Sequence, residues 1–221
     1  MPILSVLIFL PLVGAIYLMI AGRRMSSEGI RWTAFGIAAA DALVAIKCLI
    51  DFGAAPGGDG GYKFAEMVAW LPALSINYHV GMDGLSLLLV LLTAGLGMLA
   101  IASSFTAIRE RETEFYSFLL LLLTGVMGTF LALDMFLFYI FWEIMLIPLY
   151  FLIGIFGSAN RIYATMKFVL FTLAGSVLML IGILGLQFQV AAQMNVSTFD
   201  AVDLAKHAPS LAKPMQIWLF L

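Results

Sequence analysis

The chain has 221 residues, 63% of them hydrophobic and 11% charged, with a net charge of −2 and a mean hydropathy of +1.09. Soluble domains average about 45–50% apolar and about 25% charged residues, so this composition excludes an ordinary soluble domain and indicates an all-α polytopic membrane protein. The near-neutral charge gives no footing for a nucleic-acid partner. The single Cys48 excludes an internal disulfide and lacks the companions that a metal or iron–sulfur site needs.

A spanning helix needs about 20 mostly apolar residues. Six stretches meet that length: 2–21, 30–50, 80–104, 115–133, 135–156 and 163–187. The first has no basic segment before it and no small-residue cleavage pattern after it, so it reads as a retained helix, not a signal peptide. The second contains Asp41 in "AAADALVAIK", with Lys47 six positions on. Asp41 could pair with another helix, but the residues do not reveal its role.

Between the second and third spans, "GAAPGGDGG" at 53–61 reads as a flexible linker, since Gly and Pro interrupt regular structure. Asp83 opens the third span in "HVGMDGLSLLLVLLTAG", where capping of the helix start is a sufficient role. Only a short connection around Asp134 separates the fourth and fifth spans. They form a tight helical hairpin with Asp134 as a cap.

The fifth span, in "FLFYIFWEIMLIPLY", places Glu143 near the bilayer midplane. A charge there costs about 2.5–3.5 kcal/mol on insertion scales. The carboxyl can take a proton or keep its charge beside a cation. Tyr139 and Tyr150 share its helical face, and Pro148 removes one backbone hydrogen bond and can kink the helix one turn beyond it. Two readings stay open: a proton- or ion-transfer group, or one half of a static ion pair.

Lys167 lies about one turn inside the sixth span, with Thr165, Thr172 and Ser176 as a polar stripe and Gly175 as a place for close packing. Either its ammonium snorkels to the headgroups or it faces inward and hands on a proton. It sits about 10 Å nearer the cytoplasm than Glu143 by helical rise, so water would have to bridge the two. A seventh segment, "PMQIWLFL", reaches only about 12 Å. It is too short to cross, which makes the chain the expected N-terminal part of a longer protein.

All six arginines fall on one side of this arrangement: Arg23, Arg24, Arg31, Arg109, Arg111 and Arg161. The positive-inside bias puts them in the cytoplasm. The N-terminus and the loops 51–79 and 188–213 are then external to a single membrane domain covering 1–221. His79 and His207 fall in external segments without metal-ligand spacing and are expected at a surface or interface. No nucleotide loop, catalytic carboxylate pair, nucleophile triad or haem motif is present.

"FYIFWEIMLIPLYFLIGIFG" followed by "RIYATMKFVLFTLAGSVLMLIGILGL" resembles the subunit M family of bacterial NADH:quinone oxidoreductase, whose mitochondrial relative is NADH dehydrogenase subunit 4. The motifs are F-W-E-x-x-x-I-P-x-Y and R-x-x-A-x-x-K-F, and "WLPALSINYHVGMDGLSLLLVLLT" matches just before the third helix. The resemblance runs from about residue 63 to 187 and more weakly over the first two helices. It implies an antiporter-like fold, here six complete helices and the start of a seventh, in the membrane arm of respiratory complex I.

The implied role is proton translocation in the bacterial inner membrane, with the N-terminus periplasmic. Glu143 matches the fifth-helix glutamate of the proton pathway and Lys167 a sixth-helix lysine near the same half-channel. Asp83 matches through its D-G-x-S motif. The glutamate's usual lysine partner belongs to the seventh helix. The implied partners are other membrane-arm subunits, including two further antiporter-like ones. NADH, FMN, iron–sulfur clusters and quinone belong to partner subunits, with none in this chain. An Mrp-type cation/proton antiporter subunit and a structural scaffold with static ion pairs are the alternatives.

Overall fold

The computed structural model describes residues 2–194 and 197–207, together with Lys213, Gln216 and Ile217. Six long helices carry the chain: α1 (Ile3–Ala21), α2 (Ser27–Phe52), α3 (Gly84–Ala107), α4 (Glu112–Leu131), α5 (Met135–Phe156) and α6 (Arg161–Met194). Each is long and apolar enough to cross a membrane. The chain is an integral, multi-pass, helical membrane protein. The seventh segment, from Pro214 onward, lies largely outside the described residues.

Two expectations from the sequence need correction. The third helix begins at Gly84, because residues 76–82 are extended: β1 (Lys63–Leu71) and β2 (Ile76–Met82) form an antiparallel hairpin. The sixth helix runs on to Met194, and a short α7 (Ala201–His207) follows. Residues 188–194 are therefore helix, not loop. His79, expected at a surface or interface, lies at an interface within the chain: its side chain is 12% exposed and pairs with Asp200.

The helix starts follow the capping chemistry of their first residues. Ser26 accepts the Gly29 amide at 3.2 Å, and Asp83 accepts the Ser86 amide at 2.7 Å. That bond holds the Asp83 carboxyl below the usual aspartate range. At the start of α1 the cap comes from the hairpin. Glu66 of β1 accepts the Leu4 amide at 2.7 Å and the Ser5 amide at 3.2 Å, which satisfies donors that a helix leaves open. At the opposite end of the bundle, Arg31 grips Glu112 through Nε at 2.9 Å and Nη2 at 2.6 Å, tying the start of α2 to that of α4.

α4 and α5 pack face to face through glycine. A Cβ on Gly125 would meet the Met145 backbone at 2.9 Å, and one on Gly128 would collide with the Phe141 ring. Among the described residues, two of the three apolar clusters fill the body of the bundle. One lies beneath the hairpin, around Leu7, Val80, Met127 and Phe141. The other lies toward the arginine side, around Leu18, Ala38, Ile101 and Leu120.

The head of α5 is held by three segments. Asp134 accepts the Phe136 and Leu137 amides on one oxygen at 2.9 and 3.0 Å, and the Asn77 amide on the other at 3.0 Å. The Leu133 amide donates to the His79 carbonyl at 2.8 Å, and the Met135 amide to the Phe199 carbonyl at 2.8 Å. Asp200 takes His79 on one oxygen and the Val202 and Asp203 amides on the other. Burial pushes the Asp134 carboxyl up, and nearby Asp200 adds to this against its amide bonds. Burial pushes Asp200 up too, but His79 and the α7 amides outweigh it, and the net direction is down.

Two outcomes follow from this packing. Gly125→Ala must push α4 off α5, because the obstacle is backbone. It should cost about 1–3 kcal/mol and lower the thermal unfolding temperature. Gly154→Ala, whose nearest obstacle is the Thr165 hydroxyl at 3.4 Å, should leave it unchanged. Asp200, with its depressed pKa, contributes stability that is full above the ordinary aspartate value of about 4 and is lost as pH falls through the folded value. Hydrogen exchange at the Val202 and Asp203 amides, relative to the intrinsic rate, should stay protected down to about pH 4 and rise below it. Asp200→Asn should remove that pH dependence.

Candidate functional site

Glu143 sits on the third turn of α5 with eight helical residues between it and the pinned head. That is about 12 Å at 1.5 Å per residue. Its carboxylate is turned toward α6, into a cavity of about 230 Å³ lined by Glu143, Ile147 and Tyr150 of α5 and Val169, Thr172 and Leu173 of α6. One carboxylate oxygen, Oε1, is buried and meets no hydrogen-bond partner among the described residues. A carboxylate in that position is costly unless it is protonated, hydrated or paired.

Tyr139, one turn toward the head, lies within electrostatic reach of both Glu143 and Ser176. Tyr150 lines the Glu143 cavity on the other side and also borders a second cavity of about 250 Å³. The second cavity runs toward the arginine end between Gly154 and Ile155 of α5 and Ile162, Thr165 and Met166 of α6. Both tyrosines thus share the face of Glu143, as their spacing indicates.

The polar stripe of α6 faces this path. Thr165 and Ser176 are buried, and Thr172 lines the Glu143 cavity. Their hydroxyls donate to carbonyls of their own helix: Thr165 to Arg161 at 2.7 Å, Thr172 to Phe168 at 2.8 Å and Ser176 to Leu173 at 3.1 Å. Each oxygen keeps lone pairs free to accept. Chemically, the arrangement can take a proton at Glu143 and hydrate the approach to it from the arginine side.

Lys167 does not join this site. Two residues beyond Thr165, it is turned about 200° around the helix and is exposed in this chain. It also lies about 7.5 Å along α6 from Thr172. Gly175 has open space where a side chain would go, so it brings no helix close among the described residues. Close approach of α5 to α6 occurs instead at Gly154, against Thr165. Pro148 is buried within an α5 that stays continuous to Phe156. It leaves the Ile144 carbonyl without its helical donor. Asp83 caps α3 far from the cavity.

The residue that sequence reasoning left undefined is Asp41, which is 1% exposed with neither carboxylate oxygen partnered. A signal existed. Ala34, Ala38, Asp41, Ala45 and Cys48 form the buried stripe of α2 at helical spacing, and Asp41 falls in the middle of it.

Residues 132–221 match the family model described as the NADH:quinone oxidoreductase/Mrp antiporter transmembrane family. The chain is 44% identical to NADH-quinone oxidoreductase subunit M of Pseudomonas aeruginosa over 76% of its own length and 33% of the relative's. It is 33% identical to the subunit M of Rickettsia typhi over 99% of its own length and 44% of that protein's. The chain therefore spans less than half the length of these curated relatives.

In three dimensions it is similar to a chain of respiratory complex I from Thermus thermophilus, at TM-score 0.81 and 29% identity, covering 100% of this chain and 42% of that one. It shares its fold with a chain of the Mrp complex from Dietzia sp. DQ12-45-1b, at TM-score 0.78 and 17% identity, covering 98% of this chain and 22% of that one. With six apolar helices, the F-W-E and R-x-x-A-x-x-K-F motifs and these likenesses, the chain belongs to the NADH:quinone oxidoreductase/Mrp antiporter transmembrane family, among its subunit M members.

Proposed function

We propose that the chain is a proton-translocating membrane-arm subunit of an NADH:quinone oxidoreductase, with Glu143 as a proton-transfer group. The observation that carries this reading is the Glu143 carboxylate, with one oxygen buried and unpartnered, facing a cavity that Tyr150 shares with a second one toward the arginine end. The carboxyl takes up a proton when its surroundings are apolar and releases it when a cation approaches, since an adjacent positive charge favours the ionised form. The resemblance supplies that cation as a lysine of the seventh membrane-spanning helix, which is not the short α7 (Ala201–His207). Tyr139, Tyr150 and the Thr172 hydroxyl orient water beside it. The Ile144 carbonyl, freed by Pro148 one turn further along α5, adds an acceptor next to Glu143 in the chain.

NADH oxidation and quinone reduction then take place in partner subunits that carry FMN, iron–sulfur clusters and quinone, and this chain converts that chemistry into proton movement. Its neighbours are other membrane-arm subunits, including two further antiporter-like ones. The single membrane domain sits in a bacterial inner membrane. The arginine-bearing connections face the cytoplasm, and the N-terminus and the β1–β2 hairpin face the periplasm, in keeping with the positive-inside bias. Lys167 acts from the uncovered face of α6, as a charge that tunes the half-channel from outside the Glu143 cavity.

Glu143→Gln in the intact complex should lower NADH-driven proton pumping by roughly tenfold or more while assembly stays at the wild-type level. Wild-type pumping would sink the proposal, and loss of assembly would favour a static ion pair. Lys167→Ala should reduce pumping less than Glu143→Gln does. The Mrp-type alternative rests on the shared fold and predicts sodium-dependent proton exchange without NADH oxidation. A purely structural scaffold predicts that removing the charges of Glu143 and its partner together is tolerated.

A further inference from the structure

Asp41 occupies the middle of α2, 1% exposed, with both carboxylate oxygens unpartnered. This burial is complete within the chain, so added subunits cannot uncover it. None of the elements packed around α2 supplies a counter-charge. α3 contains no titratable residue, and Tyr17, the one titratable residue of α1, is exposed. α4 contributes Glu112, Glu114 and Tyr116, all near the arginine end. On α2 itself, Arg31 is committed to Glu112 and lies ten residues away, about 15 Å. Lys47 pairs with Asp51 on the exposed side, and Cys48 is buried two turns along. Glu28 lies in the first turn of the helix.

An ionised, unpaired carboxylate in an apolar bundle is its costliest state. A neutral acid needs only one acceptor for its O–H. Gly14 of α1 packs on Ile37, since a Cβ there would come within 2.6 Å of that side chain. The two helices are antiparallel, so one turn onward from this contact lie Asp41 on α2 and Pro11 on the buried face of α1. Pro11 has no N–H, which releases the Leu7 carbonyl from the helical ladder. That carbonyl points along α1 toward Pro11, the residue one turn on from the Gly14–Ile37 contact as Asp41 is on α2.

We propose that Asp41 is a second proton-binding site of this chain, a carboxyl held neutral inside the α1–α4 bundle and donating to the backbone of α1 where Pro11 opens it. The site is independent of the role given to Glu143, which lies between α5 and α6.

The test is infrared difference spectroscopy on the full-length protein in its membrane complex at pH 7, comparing wild type with Asp41→Asn. A protonated-carboxyl C=O band should be present in wild type and absent from the variant, and it should shift in D2O. Identical spectra would overturn the proposal. If Asp41→Asn does not accumulate, Asp41→Glu should move the band, and an unmoved band counts equally against it. The band must survive Glu143→Gln, because its loss there would assign it to Glu143. Pro11→Ala restores the Leu7 partner and should shift the band to higher frequency. An unshifted band would overturn the α1 acceptor.

Discussion

The Asp134 carboxylate holds the Phe136 and Leu137 amides on one oxygen and the Asn77 amide on the other, and the rest of the proposed site depends on that clasp. It fixes where α5 begins and joins that point to the hairpin. The Phe199 carbonyl and the His79–Asp200 pair add the segment after α6. In lipid a helix cannot trade backbone hydrogen bonds with water, so an end secured by three segments sets the depth of every residue below it. Glu143 inherits its position from this junction, and Gly125 and Gly128 hold α5 close against α4 along the way.

The chain handles its buried carboxylates in different ways. Glu112 is paired with the Arg31 guanidinium, and Asp134 and Asp200 are bonded to amides and, for Asp200, to His79. These are structural solutions, each with its partners in place. Glu143 and Asp41 have oxygens that no donor among the described residues reaches. Their surroundings differ: Glu143 faces a cavity and a polar stripe, whereas Asp41 lies within apolar packing. That difference separates a group placed to exchange protons along a path from one held in a dry bundle.

Much of this was legible in the residues. Hydropathy gave six spans because a bilayer imposes a length of about 20 apolar residues, and the boundaries of α5 matched to the residue. Asp83 and Asp134 read correctly as caps, since short acidic side chains before apolar runs serve open amides. The hairpin was missed because its strands lie among Gly-rich and apolar residues with no clean alternation, and its pairing is a contact between strands. The full length of α6 was missed for a related reason: "QFQVAAQM" is polar enough to look like a connection, yet it has strong helix formers.

By itself the sequence determined that the chain lives in a membrane, where its helices lie, which side carries the arginines and that Glu143 shares a face with Tyr139 and Tyr150. Those properties follow from composition and helical period, which are local. Only the tertiary structure decided that Lys167 turns away from Glu143, that His79 is locked to Asp200 and that Asp41 has no partner among the described residues. Each of these depends on what a distant segment presents at the same depth, and no single segment of sequence contains that information.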